Sequence, residues 1–263
     1  MLDQIKTPYS SILADENGRY PYTHEDQSVW AELFERQVAG LRGKMVPSYL
    51  KGVDELGLNA DAVPQVVDID ARLNTLTGAG VEGVPALIAP TRFFTLLSER
   101  KFPVATFLRR REDMDYIEEP DLFHEVFGHC PLLTNSAYCD FIESFGKRAL
   151  ALGKGYSWHM FRLFWFTVEF GMIHTKDGPR AFGAGIASSP SELENALGGE
   201  AEARDFDLME VLRTPYRIDI VQPVYFVIDS FEALTDSLNQ DLAAMIDAAK
   251  AEGDLPPLFD PAS

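Results

Sequence analysis

Pro120-Asp-Leu-Phe-His-Glu-Val-Phe-Gly-His-Cys-Pro131 places two imidazoles, His124 and His129, at the end of a candidate helix. Further along, Trp165-Phe-Thr-Val-Glu-Phe-Gly171 sets one carboxylate, Glu169, in an aromatic, almost uncharged run. Two imidazoles and one carboxylate on one face of a metal, with other positions open, form the ligand set of non-haem Fe(II) oxygenases. The two segments therefore point to a helical scaffold for oxygen chemistry rather than to a structural metal site.

The spacing separates this pattern from a better-known one. A HExxH helix carries its histidines four apart, on one face, for zinc. Here they are five apart, and five helical steps turn the side chains about 140° from each other. Both can face one metal only if the helix ends between them. Gly128 and Pro131 supply that ending, since a proline disfavours helical geometry at the residue before it. The zinc-peptidase pattern is thus absent, and Glu125 is not an obvious peptidase base. An ionised Glu169 among Phe164, Trp165, Phe166, Val168 and Phe170 is costly unless paired or metal-bound. A salt bridge to a core arginine is its alternative. The alternative for His124 and His129 is an ordinary core or capping role. His24, His159 and His174 lack comparable context and read as surface or core histidines.

The 263 residues are 46% hydrophobic, enough for one full core with roughly three quarters of the unfolded surface buried. Nothing in the middle reads as a linker, so one domain is expected. Against 41 acidic residues stand 23 basic ones, a net charge of -18. Such a surface repels phosphate backbones and excludes nucleic acid as a partner; its plain meaning is solubility. Two cysteines, Cys130 and Cys139, make no disulfide framework. The N-terminus has no apolar signal core. The most apolar stretch, Met160 to His174, is interrupted by Arg162 and Glu169 and is too short to span a bilayer. A soluble cytoplasmic protein without membrane contact is expected.

The periodicity predicts a mainly α protein with a few short strands. Residues 1–24 read as an extended arm and 25–263 as the domain. A helix from Glu25 to Lys44 carries Trp30, Leu33, Phe34, Val38 and Leu41 on one face. Pro47 to Gly57 and Pro64 to Thr77 read as helices, each opened by a proline suited to a first turn. Gly78 to Gly83 reads as a turn-rich connection. Val84 to Ile88 and Pro103 to Leu108 read as strands, with a helix between them from about Pro90. Asp121 caps the next helix, which runs to about Gly128. Ser136 to Leu152 is amphipathic. Met160 to His174 is apolar nearly all round and should be buried. Pro179 to Ile186 is strand-like or looped, Ile218 to Ile228 suggests two short strands, and Ser230 to Lys250 suggests one long helix.

Glu119-Pro-Asp-Leu-Phe-His-Glu-Val-Phe-Gly-His-Cys-Pro-Leu-Leu133 resembles the signature of the pterin-dependent aromatic amino acid hydroxylases. Trp165 to Gly171 and Phe182-Gly-Ala-Gly-Ile-Ala-Ser-Ser189 resemble two further motifs of that family, in its order and spacing. The likeness runs from about Val29 onward and is greatest to the bacterial members that act on phenylalanine. It implies the family's single compact catalytic domain, and a mononuclear Fe(II) held by His124, His129 and Glu169. It also implies a tetrahydropterin such as tetrahydrobiopterin, and conversion of L-phenylalanine and O2 to L-tyrosine. Three protein ligands leave metal positions open, as that chemistry requires.

The resemblance also assigns other positions. Arg109 matches the arginine that binds the substrate carboxylate, a task suited to a planar two-point donor; alone it would read as a solvated member of Arg109-Arg110-Arg111. Asp121 matches the acid that holds this arginine. Pro120, Trp165 and Phe170 match the walls of the aromatic pocket, and Gly185 and Ser188 the loop near the substrate's amino-acid group. Phe93 matches the ring that stacks on the pterin, with Leu87 and Ile88 beside it and Glu125 as an acid near it. Ile218 falls where tyrosine hydroxylases carry an acid, and an apolar residue there leaves a substrate hydroxyl without a partner, which favours phenylalanine. The chain shows no regulatory domain and no long C-terminal oligomerisation helix, so a monomer is expected. Rival readings are attack at another ring position or on another aromatic amino acid, a zinc hydrolase using the same ligands, an oxoglutarate dioxygenase and a non-catalytic binding protein.

Overall fold

The computed structural model describes residues 9–85, 87–199 and 201–260. The first eight residues of the expected arm and residues 261–263 lie outside that range. From Tyr9 to Tyr22 the arm has no helix or strand and is folded by a turn in which the Gly18 N–H donates to the Asp15 carbonyl at 3.0 Å. The Tyr9 ring stacks on Phe107 at 4.7 Å, and the Ile12 N–H donates to Thr106 Oγ1 at 3.1 Å.

Helix α1 (His24–Leu41) opens on a capping box between Thr23 and Asp26. It buries Val29, Trp30, Leu33, Phe34 and Leu41. Val38, expected on that face, points outward, and Gln37 takes the buried place. Helix α2 (Pro47–Glu55) starts on Pro47. In α3 (Val66–Thr77) the cap is Gln65, so Pro64 stands ahead of the helix rather than in its first turn.

Strand β1 (Gly80–Val84), helix α4 (Pro90–Ser98) and strand β2 (Lys101–Ala105) form a parallel pair with a helical crossover, in register from Gly80↔Lys101 to Val84↔Ala105. Both strands lie N-terminal to the expected segments. Of the glycines in the expected turn, Gly78 ends α3 in the left-handed region, while Gly80 serves close approach within β1: a Cβ on it would stand 2.4 Å from Asp70 Oδ1.

Asp121 does cap the next turn, its Oδ1 accepting from the His124 N–H at 3.0 Å. The helix does not stop at Gly128, however. It runs as a π-helix over Phe123–His129 and tightens to a 3₁₀ turn over Cys130–Thr134. Helix α5 (Ser136–Leu152) matches its expectation and is capped by Asn135.

The apolar run after it is not one helix to His174. Helix α6 (Ser157–Phe164) widens to a π-helix over Trp165–Glu169, and strand β3 (Met172–Ile173) follows. Next come β4 (Arg180–Ala181), α7 (Ala184–Ser188), α8 (Pro190–Gly198), β5 (Glu202–Asp205) and α9 (Leu208–Arg213). Between Ile218 and Ile228 there is one strand, β6 (Val224–Ile228), preceded by a loop. The expected last helix is two: α10 (Phe231–Ser237) is capped by Ser230, and Asp241 caps the restart at α11 (Leu242–Glu252).

The second sheet has the order β4-β3-β6-β5, with β3–β4 antiparallel and β6 parallel to both its neighbours. An aromatic core joins α1 to the first π-helix: Phe123 stacks on Phe127 at 4.8 Å, and Trp30 meets Phe123 edge-on at 5.5 Å. Such offset and edge-on pairs suit the ring quadrupole. No helix among the described residues is long and apolar enough to cross a membrane.

Candidate functional site

Both segments that carry the expected ligands are wide turns. A π-helix closes its hydrogen bonds five residues apart, and this brings residues five apart onto one side. His124 and His129 therefore face each other without a helix end between them. Their Nε2 atoms lie 3.2 Å apart. The second wide turn shows the same closure, with the Phe170 N–H donating to the Trp165 carbonyl at 2.9 Å. Thr167 Oγ1 donates back to the Leu163 carbonyl at 2.6 Å, a bond of the kind that bends helices. The turn aims Glu169 at the two imidazoles. Its Oε1 lies 3.2 Å from His129 Nε2 and its Oε2 3.4 Å from His124 Nε2. The arginine partner considered for Glu169 is not what it meets.

The three donors converge as a metal would require. Metal–ligand bonds of about 2.1 Å place neighbouring donor atoms roughly 3.0 to 3.4 Å apart, from octahedral to tetrahedral geometry. Tautomer control supports the same use. Ser188 Oγ donates its one hydrogen to the Ala184 carbonyl at 2.8 Å, so toward His124 Nδ1, 2.9 Å away, it accepts. His124 thus carries its proton on Nδ1 and presents the Nε2 lone pair. His129 Nδ1 is buried without a partner among the described residues.

The electrostatics couple the three groups, and a metal would displace the proton that Glu169 draws onto His124. Burial disfavours a charged His124, but the adjacent Glu169 outweighs it and lifts the pKa to about 9. Burial alone would raise Glu169, yet the two imidazoles hold it well below the usual carboxylate range. Burial lowers His129 despite Glu169, which favours the neutral form a ligand needs. Burial pushes Glu125 up to about 8.

A cavity of about 430 Å³ opens beside the triad. It is lined by His124 and Glu169 and, among the residues expected from sequence, by Arg109, Pro120, Trp165, Phe170, Gly185, Ser188 and Ile218. Gly185 has to be small: a Cβ there would stand 2.5 Å from Phe170 Cζ. Arg109 is fixed by Asp121, with Nε to Oδ2 and Nη2 to Oδ1 both at 2.9 Å. Asp121 is 0% exposed. Burial works against this pair, and mutual attraction wins: the guanidinium is held above its ordinary range and the carboxyl below its own. Ile218 is 55% exposed, at the cavity rim.

The four residues matched to the pterin stand elsewhere. Phe93, Leu87, Ile88 and Glu125 do not line this cavity. The Phe93 ring is half-buried and meets Phe164 at 5.2 Å, which lies 6.3 Å from the His129 ring. Leu87 is exposed, and Glu125 Oε2 lies 3.8 Å from His129 Nε2. The sequence reading passed over Leu33 and Gln37 of α1 and residues 189–192, all of which line the cavity. Ser189-Pro190 was a legible helix start, since Ser189 caps α8 with proline in its first turn.

Fold and site together define a mainly helical protein with a facial two-histidine, one-carboxylate centre of the non-haem type. The family of biopterin-dependent aromatic amino acid hydroxylases matches residues 9–249, and the chain belongs to it. It is 42% identical over 255 residues to the phenylalanine-4-hydroxylase of Pseudomonas aeruginosa, covering 97% of each chain. The phenylalanine hydroxylase structure from Legionella pneumophila superposes with a TM-score of 0.92 at 43% identity, over 95% of this chain and all of that one. The Chromobacterium violaceum enzyme with bound oxidized Fe(III) superposes with a TM-score of 0.86 at 38% identity, over 95% and 94%.

Proposed function

We infer that the chain is an iron- and tetrahydropterin-dependent monooxygenase that converts L-phenylalanine and O2 to L-tyrosine. The observation that carries this reading is the convergence of His124, His129 and Glu169 beside an aromatic-walled cavity with one buried, pre-paired arginine. His124, His129 and Glu169 would hold the iron. Iron(II) with the tetrahydropterin supplies the O2 activation that hydroxylation of an unactivated ring needs.

The chain's own residues bind and orient the substrate. Arg109 spends Nε and Nη2 on Asp121, which fixes its plane and leaves Nη1 outside that pair for the amino acid's carboxylate. Trp165 and Phe170, 4.6 Å apart, wall the ring, with Pro120 beside them. Gly185 keeps Phe170 in place. Ser188 holds the His124 tautomer. Ile218 offers a substrate hydroxyl no partner, so phenylalanine is preferred over tyrosine. Phe93, with Leu87 and Ile88, offers the pterin an aromatic and apolar surface, and Glu125 an acid. The arm over 1–24 and one catalytic unit over 25–263, acting as a cytoplasmic monomer, complete the proposal. A stable tetramer in sedimentation would count against the monomer.

Apo-protein supplied with Fe(II), tetrahydropterin, O2 and L-phenylalanine is expected to give para-tyrosine by chromatography. His124→Ala and Glu169→Ala are expected to give none. Product formed equally by the variants would remove the triad from the reaction, and conversion of L-tyrosine to dopa at the same rate would remove the specificity argument.

A further inference from the structure

Gln222 is 1% exposed, and each of its polar groups is bonded. Its N–H donates to Glu192 Oε1 at 3.1 Å, and its carbonyl accepts from Asn195 Nδ2 at 2.8 Å. Its side-chain Oε1 accepts from Trp165 Nε1 at 2.9 Å. Its Nε2 donates to the carbonyls of Arg217 and Ile220, both at 2.9 Å. One residue thus ties helix α8, the indole wall of the cavity and the loop before β6 to each other.

The loop needs such a tie. Its tip carries Ile218 and Val221, which line the cavity and are 55% and 44% exposed, so apolar packing does not fix it. Its other end is held against the same indole, because the Tyr216 ring stacks on Trp165 at 4.6 Å and 22°. Trp165 is therefore clasped on its face by Tyr216 and at its N–H by Gln222. The anchor below is firm: Glu192 also accepts from the Tyr225 hydroxyl, and Asn195 donates to that hydroxyl at 2.8 Å. A buried polar network with every member satisfied selects one arrangement.

We infer that Gln222 is a specificity-determining positioning residue. It locks the Trp165 indole and the Tyr216–Val221 loop into one rigid face of the cavity, so that phenylalanine fits and bulkier aromatic amino acids are rejected. It does this without touching the substrate, through Trp165 and Ile218. The inference rests on the cavity being the substrate site, as proposed above.

The test compares iron-loaded wild type with Gln222→Leu and Asn195→Ala. Kinetics are measured on L-phenylalanine and L-tryptophan, and L-phenylalanine affinity is measured separately by intrinsic fluorescence. In Gln222→Leu the KM and Kd for L-phenylalanine rise about tenfold, the loss expected from breaking a buried hydrogen bond behind a binding wall. The kcat at saturation and the KM for tetrahydropterin are retained, as when uniform binding is lost. The kcat/KM preference for phenylalanine over tryptophan falls about tenfold. Asn195→Ala, which withdraws the bonds to the Gln222 carbonyl and the Tyr225 hydroxyl but leaves the Gln222 side chain bonded, moves the same constants in the same direction by less, and it decides the matter alone if Gln222→Leu does not fold. Wild-type KM and preference in the folded variants, with only a lower melting temperature, would overturn the inference. A wild type that makes no product from L-phenylalanine would instead overturn the functional reading beneath it.

Discussion

At the scale of single residues, the site depends on side chains that hold other side chains. Ser188 is the clearest case, because its hydroxyl hydrogen is committed to Ala184 and it can only accept from His124. Ser188→Ala is expected to lower iron affinity about 10- to 100-fold, the usual cost of losing a partner that orients a ligand. Iron titration would show this, and excess Fe(II) should restore much of the tyrosine formation. Asp121 carries a heavier load. Truncating it to alanine leaves the Arg109 charge buried and unpaired, which costs roughly 3 to 5 kcal/mol and should appear as a lower urea midpoint. An unchanged midpoint would mean that the guanidinium finds water. Residues of this scale were legible when they carried distinctive chemistry: His124, His129 and Glu169 could be named from their chemistry, whereas Arg109, one of three adjacent arginines, was singled out only by the family resemblance. Gln222 could not, because a glutamine beside a proline in an apolar run has no signal until its five bonds are seen.

At the scale of elements, the expected helices and their caps were largely present, and the exceptions have physical causes. The two ligand turns were misread because periodicity assumes 3.6 residues per turn, and a π turn breaks that assumption where the ligands lie. The His–His spacing of five was the visible trace of it, explained from sequence by a helix end that does not occur. Helix α8 was missed although Ser189 and Pro190 announce it, yet it anchors the loop before β6 through Glu192. Burial pushes the Glu192 carboxyl up to about 7, against the hydrogen bonds it accepts. The folded chain then keeps a proton that the unfolded chain releases above its ordinary pKa of 4.5. Stability from this group is therefore full below about 4.5, falls as pH rises to about 7, and is flat above, a loss of roughly 3 kcal/mol. Subtracting the pH profile of Glu192→Gln from that of wild type isolates this limb from the other carboxylates. A difference constant from pH 5 to 8 would show that Glu192 folds in ionised.

At the scale of the whole molecule, fold class followed from composition and periodicity, while the order of strands in the β4-β3-β6-β5 sheet did not. Strands of two residues, such as β3 and β4, are set by tertiary pairing and leave no pattern in the chain. The chain brings its two ligand turns together only when folded, so metal binding is also folding free energy. An ion that binds only the native state at a hundred times its Kd adds about 2.7 kcal/mol. Unfolding entropy near 2.1 cal/mol/K per residue gives about 0.55 kcal/mol/K over this chain, so the melting temperature should rise by about 5 °C. Only the two histidines are near each other in sequence; Glu169 lies 40 residues beyond His129, so the unfolded chain does not hold all three donors together, which keeps the competing affinity for the unfolded state small. Calorimetry of the apo-protein with and without anaerobic Fe(II) measures the shift, and Glu169→Ala should abolish it by removing the only carboxylate of the triad. An equal shift in wild type and variant would place the ion somewhere other than at His124, His129 and Glu169, and no shift in the wild type would mean that these three donors do not hold iron in the folded chain.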